Sequence, residues 1–316
     1  MTAYLVVDGN SLAHAAQHAR ALTNADGEQT QCTFHTLNML KNLMDRNVRY
    51  TKIIVLWDMR AEWRFDLYPE YKGKRSDDPQ KVADKAQVKR QTPVIRELMR
   101  RLGTTQVMGE GFEADDYAGF FVRLLTPNGH RVLLGSGDED WMQLVGSKVS
   151  WIDPRKGANK YVTALNFTDF TGCRTASQFL QVKALEGDTS DNIQGVTGIG
   201  EKAAKAIMEE FGGVAGLKKV WVDNNETDFE KGELPKSLSR ARVPINRFLN
   251  EQMGVFTRNL KLMNLMSPAK DGAMRKVMQM DKGVYDIDGF MELAAEQGFM
   301  SIATKRTAWD KTFGAQ

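Results

Sequence analysis

Cysteine is almost absent from this 316-residue chain: Cys32 and Cys173 stand apart, with no CxxC spacing. That argues against a disulfide framework, dithiol redox chemistry and cysteine-bound zinc, and leaves two reduced, partly buried thiols. Histidine is equally sparse, with four in the chain. His14 and His18 fall at i, i+4 and could bracket a metal on a helix, but neither a Glu-x-x-His pattern nor a nearby cysteine accompanies them. Surface or packing roles are the simpler reading. No apolar run approaches the ~20 residues that cross a bilayer. Met1-Thr2-Ala3-Tyr4 leads into a strand pattern without a basic signal segment, so a cytoplasmic protein is expected. A charge excess is missing too. The net charge is +3, so local charge distribution, rather than the total, must identify partners. What the chain does have is ordinary folding material, 42% hydrophobic and 26% charged, with methionines such as Met99, Met208, Met263, Met266 and Met278 read as adaptable core filling.

Tyr4–Asp8, Lys52–Asp58, Arg131–Ser136 and Lys148–Asp153 are short apolar runs with helical patterns between most of them. Alternation of this kind predicts an α/β fold, a mainly parallel central sheet flanked by helices. After about Thr175 the strand signals fade, and Ser177–Glu186, Lys202–Phe211, Pro244–Leu262 and Gly289–Gln297 read as helices. Two domains are therefore expected, 1–175 and a helical 176–316. The stretch Val222–Arg242, with Gly232 and Pro235, reads as a loop or mobile connection.

Acidic residues gather where the strands run out: Asp8, Asp58, Glu113, Asp115, Asp116, Asp138 and Asp140, with Asp188 and Asp191 further on. One such acid is normally a helix cap or turn former. Three in the four positions Glu113–Asp116, followed by Asp138-Glu139-Asp140, exceed what capping needs. Like charges at one sheet edge repel unless cations neutralise them, and an oxygen-only set suits Mg²⁺ or Mn²⁺ rather than zinc. Two such ions can hold the attacking hydroxide and the leaving oxygen of a phosphodiester displacement. A metal-dependent phosphoryl-transfer site is the leading expectation.

Two basic features complement the acids. Lys72, Lys74 and Arg75 follow a Tyr-Pro-Glu-Tyr turn, and Lys81, Lys85 and Lys89 recur at i, i+4, i+8 along one helical face. Such a face is usually just solvated, but acids are sparse on this stripe and a polyanion near the carboxylates needs cations to hold it. Tyr68 and Tyr71 offer base-stacking faces or packing surfaces. Gly195-Val196-Thr197-Gly198-Ile199-Gly200 precedes a helix and can present backbone amides to phosphate, although it lacks the spacing of a dinucleotide fingerprint or P-loop.

The ordered motifs Val7-Asp8-Gly9-Asn10, Trp57-Asp58, Tyr68-Pro69-Glu70-Tyr71-Lys72-Gly73-Lys74-Arg75, Glu113-Ala114-Asp115-Asp116, Ser136-Gly137-Asp138-Glu139-Asp140-Trp141, Gly187-Asp188-Thr189-Ser190-Asp191-Asn192 and Gly195–Gly200 give the chain a wider identity. Across roughly residues 4–215 it resembles the 5′→3′ exonuclease and flap endonuclease family, including stand-alone phage 5′ nucleases and the 5′ nuclease domain of bacterial DNA polymerase I. The resemblance implies a structure-selective 5′ nuclease using two Mg²⁺ or Mn²⁺ ions, with the nine acids named above matching the metal-site acids. Glu139 departs from the small or neutral residue common at its position. The resemblance further implies a helical arch at about 60–101, with Lys72 at the scissile phosphate, Arg75 assisting, and Lys74, Lys81, Lys85 and Lys89 binding DNA. It makes the Gly195–Gly200 loop a helix-hairpin-helix element that grips duplex through Gly198, Gly200, Lys202 and Lys205, with K⁺ on loop carbonyls. Implied substrates are DNA 5′ flaps, nicks, recessed 5′ ends and RNA primers on DNA, in replication within a phage-infected or bacterial cell, beside replication proteins. A PIN-like ribonuclease and a non-catalytic junction-binding protein are the alternatives. Loss of a core acid would favour the second, and none is lost.

Overall fold

The computed structural model describes residues 2–47, 49–50, 52–73 and 78–314. The chain divides into two compact units. The sheet unit comprises Met1–Ala61, Ser76–Thr163 and Leu265–Gln316, and the helical unit comprises Glu62–Arg75 and Ala164–Asn264.

In the sheet unit, strands β1 (Ala3–Asp8), β2 (Lys52–Leu56), β3 (Thr105–Gly109), β4 (Arg131–Gly135), β5 (Val149–Ile152) and β6 (Tyr161–Val162) join Met278–Lys282 in one seven-stranded sheet. The order is β6-β5-β4-β1-β2-β3, with Met278–Lys282 on the far edge. The pairs β1–β2, β1–β4, β2–β3 and β4–β5 are parallel, while β6 and Met278–Lys282 run antiparallel at the two edges. Leu5, Val6 and Val7 of β1 and Val132, Leu133 and Leu134 of β4 are all buried. Consecutive burial on both faces is why these strands read as unbroken apolar runs. The chain order reverses between β1 and β4, so the crevice beyond their carboxyl ends is the topological switch point, where open α/β sheets bind ligands.

Helices Gly9–Gln17, Gln31–Arg46 and Pro79–Arg101 pack together in this unit. Asp78 caps the last of these by accepting from Gln80 N, and Pro79 opens it where no intrahelical N–H is needed. Residues 265–316, expected with the helical region, belong to the sheet unit instead. Their strand pairs with β3, and Phe290, Trp309 and Phe313 are buried in the same core as β1 and β2. Sequence could not show this, because Met-Gln-Met-Asp-Lys lacks an apolar strand pattern and is mostly exposed.

The helical unit contains Ala176–Glu186, Glu201–Phe211, Val214–Asp223 and Met253–Met263, with a two-strand hairpin formed by Gly187–Asp188 and Ile193–Gln194. The expected helix Pro244–Leu262 is interrupted: Arg242–Arg247 passes into a π-turn at Phe248–Gln252 before Met253–Met263 resumes. The expected loop 222–242 is more ordered than its composition suggests, because Phe229, Leu234 and Leu238 are buried along it. Among the described residues, no helix is long and apolar enough to cross a membrane.

Candidate active site

Each acid at the sheet edge is placed by its local structure. Asp8 ends β1 and caps Gly9–Gln17, accepting from Ser11 N at 2.8 Å. Gly9 is required at this step, since a Cβ there would lie 2.9 Å from the Trp57 ring. Trp57 is itself fixed by Nε1 donating to Gln106 Oε1 at 2.9 Å. Asp58 follows; its N–H donates to Asn10 Oδ1 at 3.1 Å, and its Oδ1 accepts from Ala114 N at 2.8 Å. Glu113 and Asp116 form a reciprocal capping box at the start of Ala114–Leu125, and both are buried. Asp115 accepts from Trp141 Nε1 at 2.6 Å.

The turn after β4 closes the row. Ser136 Oγ donates to Asp8 Oδ2 at 2.9 Å and accepts from Asp138 N at 3.0 Å. Gly137 N donates to Ser11 Oγ at 2.9 Å, and Asp138 caps the following turn by accepting from Asp140 N. Hydrogen bonds thus link the ends of β1 and β4 directly, and Asp58 bridges the end of β2 to the helix after β3. Glu139 points elsewhere and pairs with Lys160. Asn10, Ser11, Ser136 and Trp141 hold these acids, a role that sequence does not reveal. Asn10, Ser136 and Trp141 sit inside the same motifs and Ser11 directly follows one, but only the hydrogen bonds show their part.

The electrostatics fit a cation site. Burial, reinforced by the charge of Asp58, pushes the Asp8 carboxyl up to about 7. A divalent cation would relieve that repulsion, and the donor set contains only carboxylate oxygens, as hard cations prefer. Among the described residues, no three His, Cys, Asp or Glu side chains are gathered at a spacing that would hold a metal ion. Asp8, Asp58, Asp115 and Asp138 each accept from an N–H or O–H donor.

Asp188 and Asp191 lie in the helical unit with Lys72. Asp188 accepts from Ser190 N and Oγ and faces Lys183 Nζ at 3.6 Å. Burial raises its carboxyl, but the Ser190 hydrogen bonds and Lys183 outweigh it and hold the group below its usual range. Lys72 N donates to Asp191 O at 2.8 Å, and its Nζ lies 3.8 Å from Asp191 Oδ1 and 4.9 Å from the Tyr71 ring centre. Tyr71 donates to Asp191 Oδ2 at 2.9 Å. Tyr68 and Tyr71 are both buried, with Tyr68 donating to Glu70 and Arg258 stacked 4.3 Å from its ring. Of the two roles considered for these tyrosines, the structure supports packing. Lys74 and Arg75 lie outside the described residues.

Lys81, Lys85 and Lys89 are all exposed on Pro79–Arg101. Gly198, at φ +83°, turns the chain before Gly200 caps Glu201–Phe211, and Gly200 and Lys202 are exposed. Lys205 is committed to Glu201 at 2.7 Å. His18 caps the end of Gly9–Gln17 and faces Asp84 at 3.8 Å. Both cysteines are free and buried, and burial pushes the Cys32 thiol up to about 12.

A mainly parallel sheet with carboxylates at its switch point, in a chain that also carries a helical unit, defines an α/β protein with an acidic site. Residues 3–171 match the family described as 5′-3′ exonuclease, N-terminal resolvase-like domain, and residues 174–260 match 5′-3′ exonuclease, C-terminal SAM fold. The chain belongs to the 5′-3′ exonuclease family. It is 33% identical to the 5′-3′ exonuclease of Mycoplasma pneumoniae over 236 residues, covering 72% of this chain and 76% of that protein. It is 34% identical to DNA polymerase I of Mycobacterium bovis over 255 residues, which is 78% of this chain. The aligned part is only 27% of that polymerase's length. Among solved structures, the bacteriophage T5 D15 flap endonuclease, in complex with DNA and metal ions, aligns with a TM-score of 0.68 at 22% identity, covering 96% of this chain and 99% of that one. The catalytic core of Rad2 with DNA substrate aligns at 0.56 and 16% identity, over 98% of this chain and 90% of that one. At these identities the structural likeness speaks for the fold.

Proposed function

We propose that the chain is a structure-selective 5′ nuclease that hydrolyses phosphodiesters at DNA 5′ flaps and 5′ ends. The observation that carries the reading is the row of carboxylates at the sheet's switch point, with the buried Asp8 held by Ser11 and Ser136. Asp8, Asp58, Glu113, Asp115, Asp116, Asp138 and Asp140 would hold two Mg²⁺ or Mn²⁺ ions. Asp188 and Asp191, on their own loop in the helical unit, remain candidate metal-site acids. The ions, when bound, lower the pKa of water and neutralise charge on the leaving oxygen.

The chain's own groups do the rest. Ser136, Ser11, Asn10 and Trp141 orient the acidic edge through the hydrogen bonds above. Lys72, preset by Asp191, supplies positive charge to a reacting phosphate, with Arg75 assisting. Lys74, Lys81, Lys85 and Lys89 attract backbone phosphate without reading sequence, and the Gly198–Gly200 turn with Lys202 and Lys205 grips duplex, with K⁺ on loop carbonyls. RNA primers on DNA are included as substrates, processed beside replication proteins in a bacterial or phage-infected cytoplasm.

The test is end-labelled flap, nicked duplex and RNA–DNA substrates incubated with Mg²⁺ and resolved by product size. Cleavage should disappear on chelation, return with Mg²⁺ or Mn²⁺, and be nearly eliminated by Asp138→Asn in a protein that still folds. Full activity of Asp138→Asn would overturn the site.

A further inference from the structure

Arg155 stands beside the acidic edge and has no part in the chemistry described so far. It follows β5, the parallel neighbour of β4, whose end carries Ser136–Asp140. Its Nε and Nη2 form a fork on Asp153, at 2.8 Å to Oδ1 and 2.7 Å to Oδ2, and its backbone N also donates to Oδ1 at 3.0 Å. Asp153 is fully buried, so the fork is anchored to a carboxylate with little room to move. The guanidinium also lies against Gly137: a Cβ there would come within 3.0 Å of Arg155 Cζ, and Nη2 is 3.4 Å from Gly137 O. The residue after Gly137 is Asp138.

Two features distinguish this arginine from a plain structural staple. Nη1 makes no hydrogen bond among the described residues, and 49% of the side chain is exposed. A planar guanidinium held on one edge by a carboxylate presents its remaining Nη1–H donors in a fixed direction, as charge-assisted binding of a phosphate oxygen requires. The surroundings also favour an anion there. Lys156 beside it is exposed, and Glu139, the acid on the neighbouring turn, is already paired with Lys160.

We propose that Arg155 is a substrate-positioning residue that binds a backbone phosphate of the nucleic acid strand lying along this edge, its orientation set by Asp153 and Gly137. The inference rests on the nuclease reading and adds to it a specific phosphate contact.

The test compares Arg155→Ala and Arg155→Gln with the intact chain. Glutamine can still donate to Asp153 but carries no charge, so it remains informative if alanine impairs folding, which thermal melting would show. Binding to a 5′-flap duplex is measured in Ca²⁺ across a salt series, and single-turnover cleavage at saturation in Mg²⁺. Either variant should weaken binding about tenfold, as removal of a charge-assisted hydrogen bond does. The salt slope should fall by about one. The saturated cleavage rate should change less than affinity. Flaps carrying single neutral methylphosphonates should then reveal one position that weakens binding by the intact chain but causes no further loss in Arg155→Gln. If Arg155→Gln binds with unchanged affinity and salt slope, or every methylphosphonate acts additively with it, Arg155 serves only Asp153 and the inference is wrong. An intact chain that cleaves flaps while Arg155→Gln behaves normally would sink this phosphate contact alone, whereas an intact chain that cleaves none of the substrates would sink the nuclease reading.

Discussion

Asp153 is fully enclosed, yet it remains a carboxylate. Burial alone would raise its pKa, but the hydrogen bonds from the Arg155 side chain and backbone outweigh that and hold it below the usual range. The ion pair therefore contributes stability above the unfolded value of about 3.9 and loses it as pH falls through the lower folded value. Urea unfolding should show Asp153→Asn destabilised by about 1–3 kcal/mol at neutral pH, the cost of a disrupted buried hydrogen-bond partner. The gap to the intact chain should be steady from pH 7 to 5 and narrow below about pH 4. Lys72 gives a second residue-scale expectation. Its ammonium is preset by Asp191 and the Tyr71 ring. Lys72→Ala should lower saturated single-turnover cleavage of a 5′ flap by about 10²–10³-fold, more than it lowers affinity measured in Ca²⁺. A sharp loss of affinity with an intact saturated rate would make Lys72 a binding residue only. The acids are readable from sequence because motif and strand end coincide. The preset geometry of Lys72 is not, since it depends on a loop more than a hundred residues away.

At the scale of elements, β1, β2, β4 and β5 are legible because their buried faces leave unbroken apolar runs. β3, Thr-Gln-Val-Met-Gly, escapes a sequence reading, since Gln106 interrupts the pattern; its side chain is spent inside, accepting from Trp57 and donating to Arg96 O. Pro79–Arg101 shows a different limit. It continues through Pro93, which sequence rules would treat as a break. From Val88 onward it carries buried Val88, Ile95, Leu98 and Met99, whereas its early turns are exposed almost all round. The early part therefore contributes little to packing, and its lysines are free to change without large stability effects. Replacing Lys81, Lys85 and Lys89 together by Ala should weaken binding to flaps of different base sequence by similar factors. It should also flatten the salt dependence, by up to about 0.9 in logarithmic slope for each phosphate that the lysines no longer neutralise. An unchanged slope would mark the stripe as merely solvated.

For the whole molecule, the sheet unit is discontinuous in sequence. The returning segment is attached by more than its strand: Arg123 donates to Leu265 O and pairs with Asp271, and Gln143 accepts from Leu265 N. At the far end, Trp309 stacks on Phe313 with ring centres 5.8 Å apart and packs against Phe290 at 4.9 Å. Trp309→Ala should cost about 3–5 kcal/mol in chemical denaturation, as a large aromatic removed from a core does. A loss under about 1 kcal/mol would mean that the last helix is an ornament on the unit rather than part of its core. The arrangement also bears on how the protein comes into being. A ribosome delivers the acidic strand ends well before the strand that covers β3 and the aromatic residues that complete the core. During elongation the edge of β3 stays open to pairing with other chains. Closure of the sheet unit must wait for residues 265–316 to emerge, whereas the bulk of the helical unit, Ala164–Asn264, is synthesised without interruption and can fold before that closure.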